Sequence, residues 1–527
     1  MIMLFTDALL QPLLSLPPDK AILVKQRRQV FPSAVFTAAR NLALQLQNRG
    51  LAAGDKVVLA TAPGEDFLII IYALIMARAI VSIIDPEMGR ENYKAKLHQF
   101  DPQWAFVDAR LLLLQEQPLL RWGIRNAGNI RNAGNIRNAG FKPRVTDIDI
   151  PRTPGLKIIS TGPFMPLFRP HIPLRRLKKK AAPPEDLHEA SSDQPFLITY
   201  TSGTLAEPKG VVHTYRSLQA TIARIVALMG DPEGQRLATH LPQFMLMGVT
   251  AGIPVYLWDY TKDAAWKLDF IEKNNITLLF GPPSDYLPLI QHCEKNHRNL
   301  PSCLQHVMLG SAPVYPAFLT KLIRSLPDHT RITALYGMTE NLMVTAIDGR
   351  EKALWQGKGD ILGKPVEGVA VEIDEEGEIL VQSPQLFDRY WHLDSRETPH
   401  RSGDRGYKDE EGNLILTGRK KDMIIRRNMN IYPGLYEPTI NKIPGITEAV
   451  MVGVYDDTQF DEVVYLVIEA EKPLTEASIM AQLRYGKYSI DQEVLPDHIL
   501  FRKLPRGGRQ NKVDRQAIRK EVIRSTK

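Results

Sequence analysis

From Phe31 to Gly50 apolar side chains recur at helical spacing, and Gly50 stands where a helix C-cap is expected. The run DKVVLA (55–60) then has the character of a strand, GEDFLIIIYALIMARA (64–79) that of a helix, and AIVSII (79–84) that of a second strand. WAFVD (104–108) and PFLITY (195–200) are further strand candidates, and the alternation resumes through ITLLFGPPS, CLQHVMLGSAP and RITALYG. This order predicts parallel or mixed α/β sheets covered by helices. A doubly wound parallel core places ligands at the carboxyl ends of its strands. After about residue 370 the pattern turns β-rich, with DEEG twice joining strand-like segments in VAVEIDEEGEILVQS and GYKDEEGNLILTGR. Near 419 a small α+β domain begins, containing EAVMVGVYD, EVVYLVIEA, the helical EASIMAQLRYG and the closing RQNKVDRQAIRKEVI. The predicted division is a large α/β domain over 1–418 and a small α+β domain over 419–527, with the charged junction GRKKD between them.

Length supports that division, because a single core rarely grows beyond about 250–300 residues and this chain has 527. A content of 44% hydrophobic and 24% charged residues is that of a globular protein, which excludes disordered and fibrous classes. The formal charge of +7 is mild, and RRLKKK (175–180) holds five of the basic side chains. No nucleic-acid motif accompanies them, so nucleic acid is not an expected partner. The two cysteines, Cys293 and Cys303, offer neither metal-ligand spacing nor a disulfide framework, and a reducing cytoplasm is the expected setting. The 12 histidines form no HExxH or compact cluster. FLIIIYALIMARAIVSIID (67–85) meets Arg78 too soon to span a bilayer and reads as a buried helix running into a strand.

The region 121–193 departs from the alternation and reads as a variable insertion. RNAGNIRNAGNIRNAG (125–140) repeats every six residues with the composition of exposed turns. The basic, proline-containing stretch that follows has two readings: a solvated linker, or a peripheral contact with anionic membrane.

Chemistry gathers first in YTSGTLAEPKGVVHTYRSL (200–218). The order of a Walker A loop is absent, yet Thr201, Ser202 and Thr204 offer hydroxyls, Gly203 permits close backbone approach and Lys209 can neutralise phosphate. By composition alone this is either a phosphate cradle or an ordinary polar turn. His213 follows it, where capping or packing is the plain reading. LGSAP (309–313) offers a flexible turn, ALYGMTEN (334–341) sets Tyr336, Thr339 and Glu340 after a strand, and SGDRGYKDEEG supplies Asp404. A ring, a hydroxyl and carboxylates suit a base, phosphates, a hydrated Mg2+ and ribose.

Taken in order, YTSGT…PKG, GSAP, YGMTE, GDRGY, GRKKD and LPRGGRQNKVDR make the chain resemble, over nearly its full length, the adenylate-forming superfamily of acyl- and aryl-CoA ligases, luciferases and peptide-synthetase adenylation domains. The resemblance is greatest to fatty acyl-CoA synthetases and weaker to olefin β-lactone synthetases. It implies the adenylate-forming fold, with a mobile small domain. It implies that Thr201, Ser202, Gly203, Thr204 and Lys209 enclose the phosphates of ATP, and that Gly310, Ser311 and Ala312 line the adenine and acyl region. Tyr336 would pack on adenine, Thr339 contact the acyl phosphate, Glu340 help hold Mg2+, and Asp404 bind the ribose hydroxyls beside Arg419. Lys421 matches the hinge and Lys512 the catalytic lysine.

The implied activity is ATP- and Mg2+-dependent activation of a medium- or long-chain carboxylic acid, followed by transfer to CoA. The residues themselves add departures from that pattern. Leu205 and Ala206 stand where Thr-Gly is usual. Arg427 and Asn428, at candidate acceptor-tunnel positions, replace glycines common in CoA ligases. They either obstruct a thiol path or grip CoA. A β-hydroxy acid that closes on itself would need no tunnel. THLPQFMLMG (239–248) reads equally as a soft apolar acyl pocket or as core packing, and it departs from the family's pattern, many members of which have a His or aromatic gate near Met245. The alternative of another class is a catalytically silent interaction protein with this fold.

Overall fold

The computed structural model describes residues 9–10, 13–14, 16–25, 28–84, 90–116, 155–162, 171–178, 191–200, 209–426, 429–456, 461–507 and 512–526. The chain divides into two compact units: Met1–Thr261 with Thr339–Asn341 and Pro384–Arg396, and Lys262–Met338 with Leu342–Ser383 and Glu397–Lys527.

The first unit is built on an eight-stranded sheet, ordered Arg389–Tyr390, Gly210–Thr214, Pro195–Tyr200, Ile80–Ile83, Lys56–Ala60, Trp104–Asp108, Lys157–Thr161, Ile172–Pro173. Its centre is parallel, and the strands Gly210–Thr214 and Arg389–Tyr390 add antiparallel pairs at one edge. The helix Glu65–Met76 buries every residue from Phe67 onward, as its unbroken apolar run requires, and the helix Pro32–Gln47 packs beside it. Gly50 takes φ 86°, the left-handed turn expected past that helix. Within the span read as an insertion, Lys157–Thr161 pairs with Trp104–Asp108. The hexapeptide repeat lies outside the described residues. Of the basic run, Lys178 is spent on Asp66, with Nζ 2.5 Å from its carboxylate. No helix among the described residues is long and apolar enough to cross a membrane.

A second patch of sheet in this unit sets Leu237–Thr239 and Leu23–Lys25 parallel to Val255–Leu257. The helix Pro242–Thr250 presses on it through Gly248, where a Cβ would come within 2.6 Å of Val255 and 2.7 Å of Leu237. Phe244, Met245 and Val249 are buried on the same helix, while Leu246 and Met247 are half-buried.

The second unit runs from the parallel strands Leu278–Gly281, His306–Leu309 and Arg331–Met338 to antiparallel pairings among Asn341–Asp348, Asp360–Pro365, Leu414–Arg419, His400–Lys408, Glu378–Gln382 and Ala370–Ile373. The two DEEG segments do join neighbouring antiparallel strands. Toward the C-terminus Ile446–Asp456 and Asp461–Ala470 form a long hairpin with His498–Phe501 parallel to its second strand. Its alternation is read on both faces. Ala449, Met451, Val464, Leu466 and Ile468 meet Ile440, Ile479 and Leu483 from two helices, whereas Val450, Val452, Val463 and Val467 meet Ile518 and Val522 of the last. The architecture is therefore the expected one, a large multi-stranded α/β N-terminal region and a smaller C-terminal α+β domain.

Because Val255 and Leu237 are themselves fully buried, they cannot yield to a larger residue at 248. Gly248→Val is expected to lower unfolding free energy by about 2–3 kcal/mol through overpacking. The midpoint of urea unfolding is the measurement.

Candidate active site

In the first unit the chain leaves the strand Pro195–Tyr200, passes through residues 201–208 and returns as Gly210–Thr214. Thr201, Ser202, Gly203 and Thr204 fall outside the described residues. Lys209 is exposed, and its Nζ lies 5.3 Å from the ring centroid of Tyr390. Gly210 carries no side chain for a steric reason: a Cβ there would sit 2.9 Å from that of Trp391. This lets the segment 389–391 run alongside, with Tyr390 opposite Val211 and the Trp391 amide donating to the Gly210 carbonyl over 2.6 Å.

Thr339 and Glu340 occupy the turn before Asn341–Asp348. The Glu340 carboxylate is buried, and the Tyr390 hydroxyl donates to its Oε1 over 2.8 Å. The Phe387 amide donates to the Glu340 carbonyl over 2.8 Å, fixing the same turn from the backbone. His213 is buried and its pKa falls to about 4, because burial outweighs its hydrogen bond with the Thr339 backbone. A neutral packed histidine is the result, as its plain reading held. Thr214 caps the next helix in a box with Ser217.

Glu340 forms no ion pair among the described residues, and no three metal-ligating side chains cluster there. A buried carboxylate with no cationic side chain on it among the described residues fits a hard ion that takes its remaining oxygens from phosphate and water, which is the manner of Mg2+.

In the second unit, Gly310, Ser311 and Ala312 follow the strand His306–Leu309, and the Gly310 amide donates to Gly281 over 3.2 Å. Ser311 holds φ 67°, a left-handed conformation uncommon for serine and often found at ligand turns. Tyr336 lies inside the strand Arg331–Met338, and its hydroxyl donates to Asp404 Oδ2 over 2.7 Å. Burial foremost, then the Asp404 charge, drives the phenol pKa well above its usual value. Arg419 lies opposite Asp404 in the antiparallel register, with its Nε 3.0 Å from Oδ1.

Lys512 stands on a short ribbon with Arg506–Gly507. Its pKa falls to about 8, first through burial and then through repulsion by Arg419 and Lys421. Three cations thus share one neighbourhood with the carboxylates of Asp404 and Asp422, an excess of positive charge that favours an incoming anion. Arg515, at the start of the last helix, donates to the Met451 carbonyl over 3.0 Å and pairs with Glu437. Its Nε lies 3.6 Å from Asp422, beside the hinge candidate Lys421.

The structure thereby brings together Lys209, Thr339 and Glu340 in one unit, and Tyr336, Asp404, Arg419, Lys421 and Lys512 in the other. Arg427 and Asn428 are outside the described residues; the preceding Arg426 donates to Leu495 and Asp497 over 2.9 Å each. Three contributors escaped the sequence reading. Tyr390 and Glu437 carry no local signal, since a tyrosine in a polar loop and a glutamate in a short helix are ordinary. Arg515 stands inside the terminal motif, but its partners Asp422 and Glu437 lie far from it in sequence. Met245, in the stretch that reads equally as acyl pocket or core packing, is wholly buried. Near it, at the carboxyl ends of two parallel strands, Trp258 Nε1 donates to His240 Nδ1 over 3.1 Å and Tyr260 stacks on the imidazole at 5.2 Å.

Sequence comparison aligns residues 15–391 with the family described as AMP-binding enzyme. Among characterised proteins, the chain is similar to indoleacetate–CoA ligase of Aromatoleum aromaticum, 31% identical over 63% of this chain and 68% of that protein. It is also similar to olefin beta-lactone synthetase of Xanthomonas campestris, 27% identical over 78% of this chain and 76% of that one. Its fold matches O-succinylbenzoate coenzyme A synthetase of Bacillus subtilis, solved with ATP and magnesium ion, with a TM-score of 0.74 and 19% identity across 96% of this chain and 98% of that one.

A titration should isolate Lys512. After reductive 13C-methylation, the lysine resonance missing from Lys512→Arg is expected to titrate near pH 8, against 10.5 for an unperturbed lysine.

Proposed function

This chain belongs to the AMP-binding enzyme family, the acyl-adenylate-forming ligases, and from that premise we propose that it activates an apolar medium- or long-chain carboxylic acid as acyl-AMP and passes the acyl group to CoA. Membership makes it an enzyme and removes the reading of a silent interaction protein. The observation that carries the proposal is the partly buried Lys512 amine, held beside Arg419 of the Tyr336–Asp404–Arg419 set.

In this reading the substrate carboxylate attacks the α-phosphorus of ATP and pyrophosphate leaves. Lys512, protonated below about pH 8, lowers the charge between carboxylate and α-phosphate. Lys209, with Thr201, Ser202, Gly203 and Thr204, encloses the leaving phosphates. Asp404 accepts from the ribose hydroxyls with the lone pairs that Tyr336 and Arg419 leave available, and Gly310, Ser311 and Ala312 border the adenine. Thr339 contacts the acyl phosphate and Glu340 holds Mg2+, which supplies electrostatic stabilisation of the leaving pyrophosphate. The division into 1–418 and 419–527, with Lys421 as hinge, lets the small domain withdraw Lys512 before acyl transfer. The name of the indoleacetate ligase and the half-buried Leu246 and Met247 support an apolar acid.

A second reading is formation of a β-lactone from a β-hydroxy acid without CoA. Arg427 and Asn428 in place of glycines favour it, together with the olefin beta-lactone relative. Product mass analysis across a panel of acids, with and without CoA, separates the two. The first reading expects acyl-CoA only when CoA is present; β-lactone and AMP without CoA would establish the second.

Lys512→Ala is expected to slow acid-dependent exchange of pyrophosphate into ATP by about 100- to 1000-fold, the usual cost of a lost transition-state donor. Reaction of supplied acyl-AMP with CoA should fall much less. Loss of the ammonium proton should also make wild-type exchange decline above about pH 8, so exchange rates across pH 6–10 check the charge requirement.

A further inference from the structure

Tyr390 touches both ends of the phosphate side of the site. Its ring lies under the Lys209 ammonium at 5.3 Å, and its hydroxyl donates to Glu340 Oε1 over 2.8 Å. An exposed lysine and a buried carboxylate held by one residue would attract each other, yet the two form no ion pair among the described residues. The tyrosine ring offers the lysine its negative π face, while the hydroxyl occupies one carboxylate oxygen.

The ring is itself immobilised. Phe387 packs on it with centroids 4.8 Å apart, Tyr390 pairs with Val211 in the sheet, and the flanking Phe387 and Trp391 amides bond to the Glu340 and Gly210 carbonyls. Three segments distant in sequence are therefore sewn together at this residue: the end of the phosphate loop, the Thr339–Glu340 turn and 387–391.

We infer that Tyr390 is a positioning residue, a spacer that keeps Lys209 and Glu340 apart and orients the free oxygen of Glu340 toward a metal–triphosphate. The inference rests on the adenylation reading above. Without the hydroxyl, the carboxylate loses its orienting donor and can turn toward Lys209. Each then neutralises the other, and the metal–nucleotide must break that pair to bind. Without the ring, the lysine loses its seat as well.

Two variants separate these contributions. Tyr390→Phe keeps the ring and removes only the donor, while Tyr390→Leu removes both. In Tyr390→Phe, Mn2+–ATP binding followed by electron paramagnetic resonance is expected to weaken about tenfold, the usual scale for one hydrogen bond to a charged group. The Mg2+ concentration giving half-maximal pyrophosphate exchange should rise by the same factor, with the rate at saturating Mg2+ within about twofold of wild type. Binding of metal-free AMP should not change. Tyr390→Leu should add a rise in KM for ATP.

Unchanged Mn2+–ATP affinity in Tyr390→Phe would overturn the inference. So would parallel losses in AMP binding and thermal midpoint, which mark general damage to the fold. Absence of both Mn2+–ATP binding and exchange in the wild type would overturn the adenylation reading, and this inference with it.

Discussion

The carboxylate of Asp404 is the charge around which the second unit's site is balanced. It faces Arg419 across an antiparallel pair and accepts from the Tyr336 phenol, so both of its oxygens are already oriented. Burial first, and then the nearby charges of Arg419 and Lys421, depress the Lys512 amine, while Asp422 adds a second negative charge within reach of Arg419. The excess of positive charge is thus a property of strand register as much as of residue choice. A slip of one residue would turn Arg419 to the other face of the sheet and dissolve the cluster.

Two loops made in different parts of the chain depend on the same economy of atoms. Gly210 has no side chain, so the 389–391 segment can lie against the strand that follows the phosphate loop. That close approach delivers Tyr390 to Glu340. Gly248 does the equivalent for the helix Pro242–Thr250, on which Met245 is fully buried. At the neighbouring strand ends His240, Trp258 and Tyr260 gather.

Around the hinge candidate the connections are ionic. Arg515 joins the segment bearing Lys512 to Asp422 and to the fully buried Glu437, whose other oxygen accepts from the Met451 amide over 2.8 Å. Removing either partner would strand a charge in a buried setting, which commonly costs about 3–5 kcal/mol. These contacts tie the segment that bears Lys512 to the residue next to Lys421.

The order of elements belonged to the sequence. Short apolar runs marked strands such as Trp104–Asp108 and Pro195–Tyr200 to the residue, the first buried along its whole length and the second alternately. The series of short motifs likewise offered Lys209, Glu340, Asp404, Arg419 and Lys512 as candidates, since phosphate and ribose chemistry restricts residue type locally. Pairings between distant segments were not legible. Tyr390 acquires its meaning only when an edge strand brings it beside Val211, and the Lys512 amine acquires its depressed pKa only when the fold buries it beside Arg419 and Lys421. Lys157–Thr161 joined the sheet although its flanks read as an insertion, because a strand's fate is decided by the neighbour it pairs with. Met245 shows the same limit from the opposite side. Its apolar character is written in the chain, but whether it lines a pocket or fills a core depends on which surface the fold presses against it.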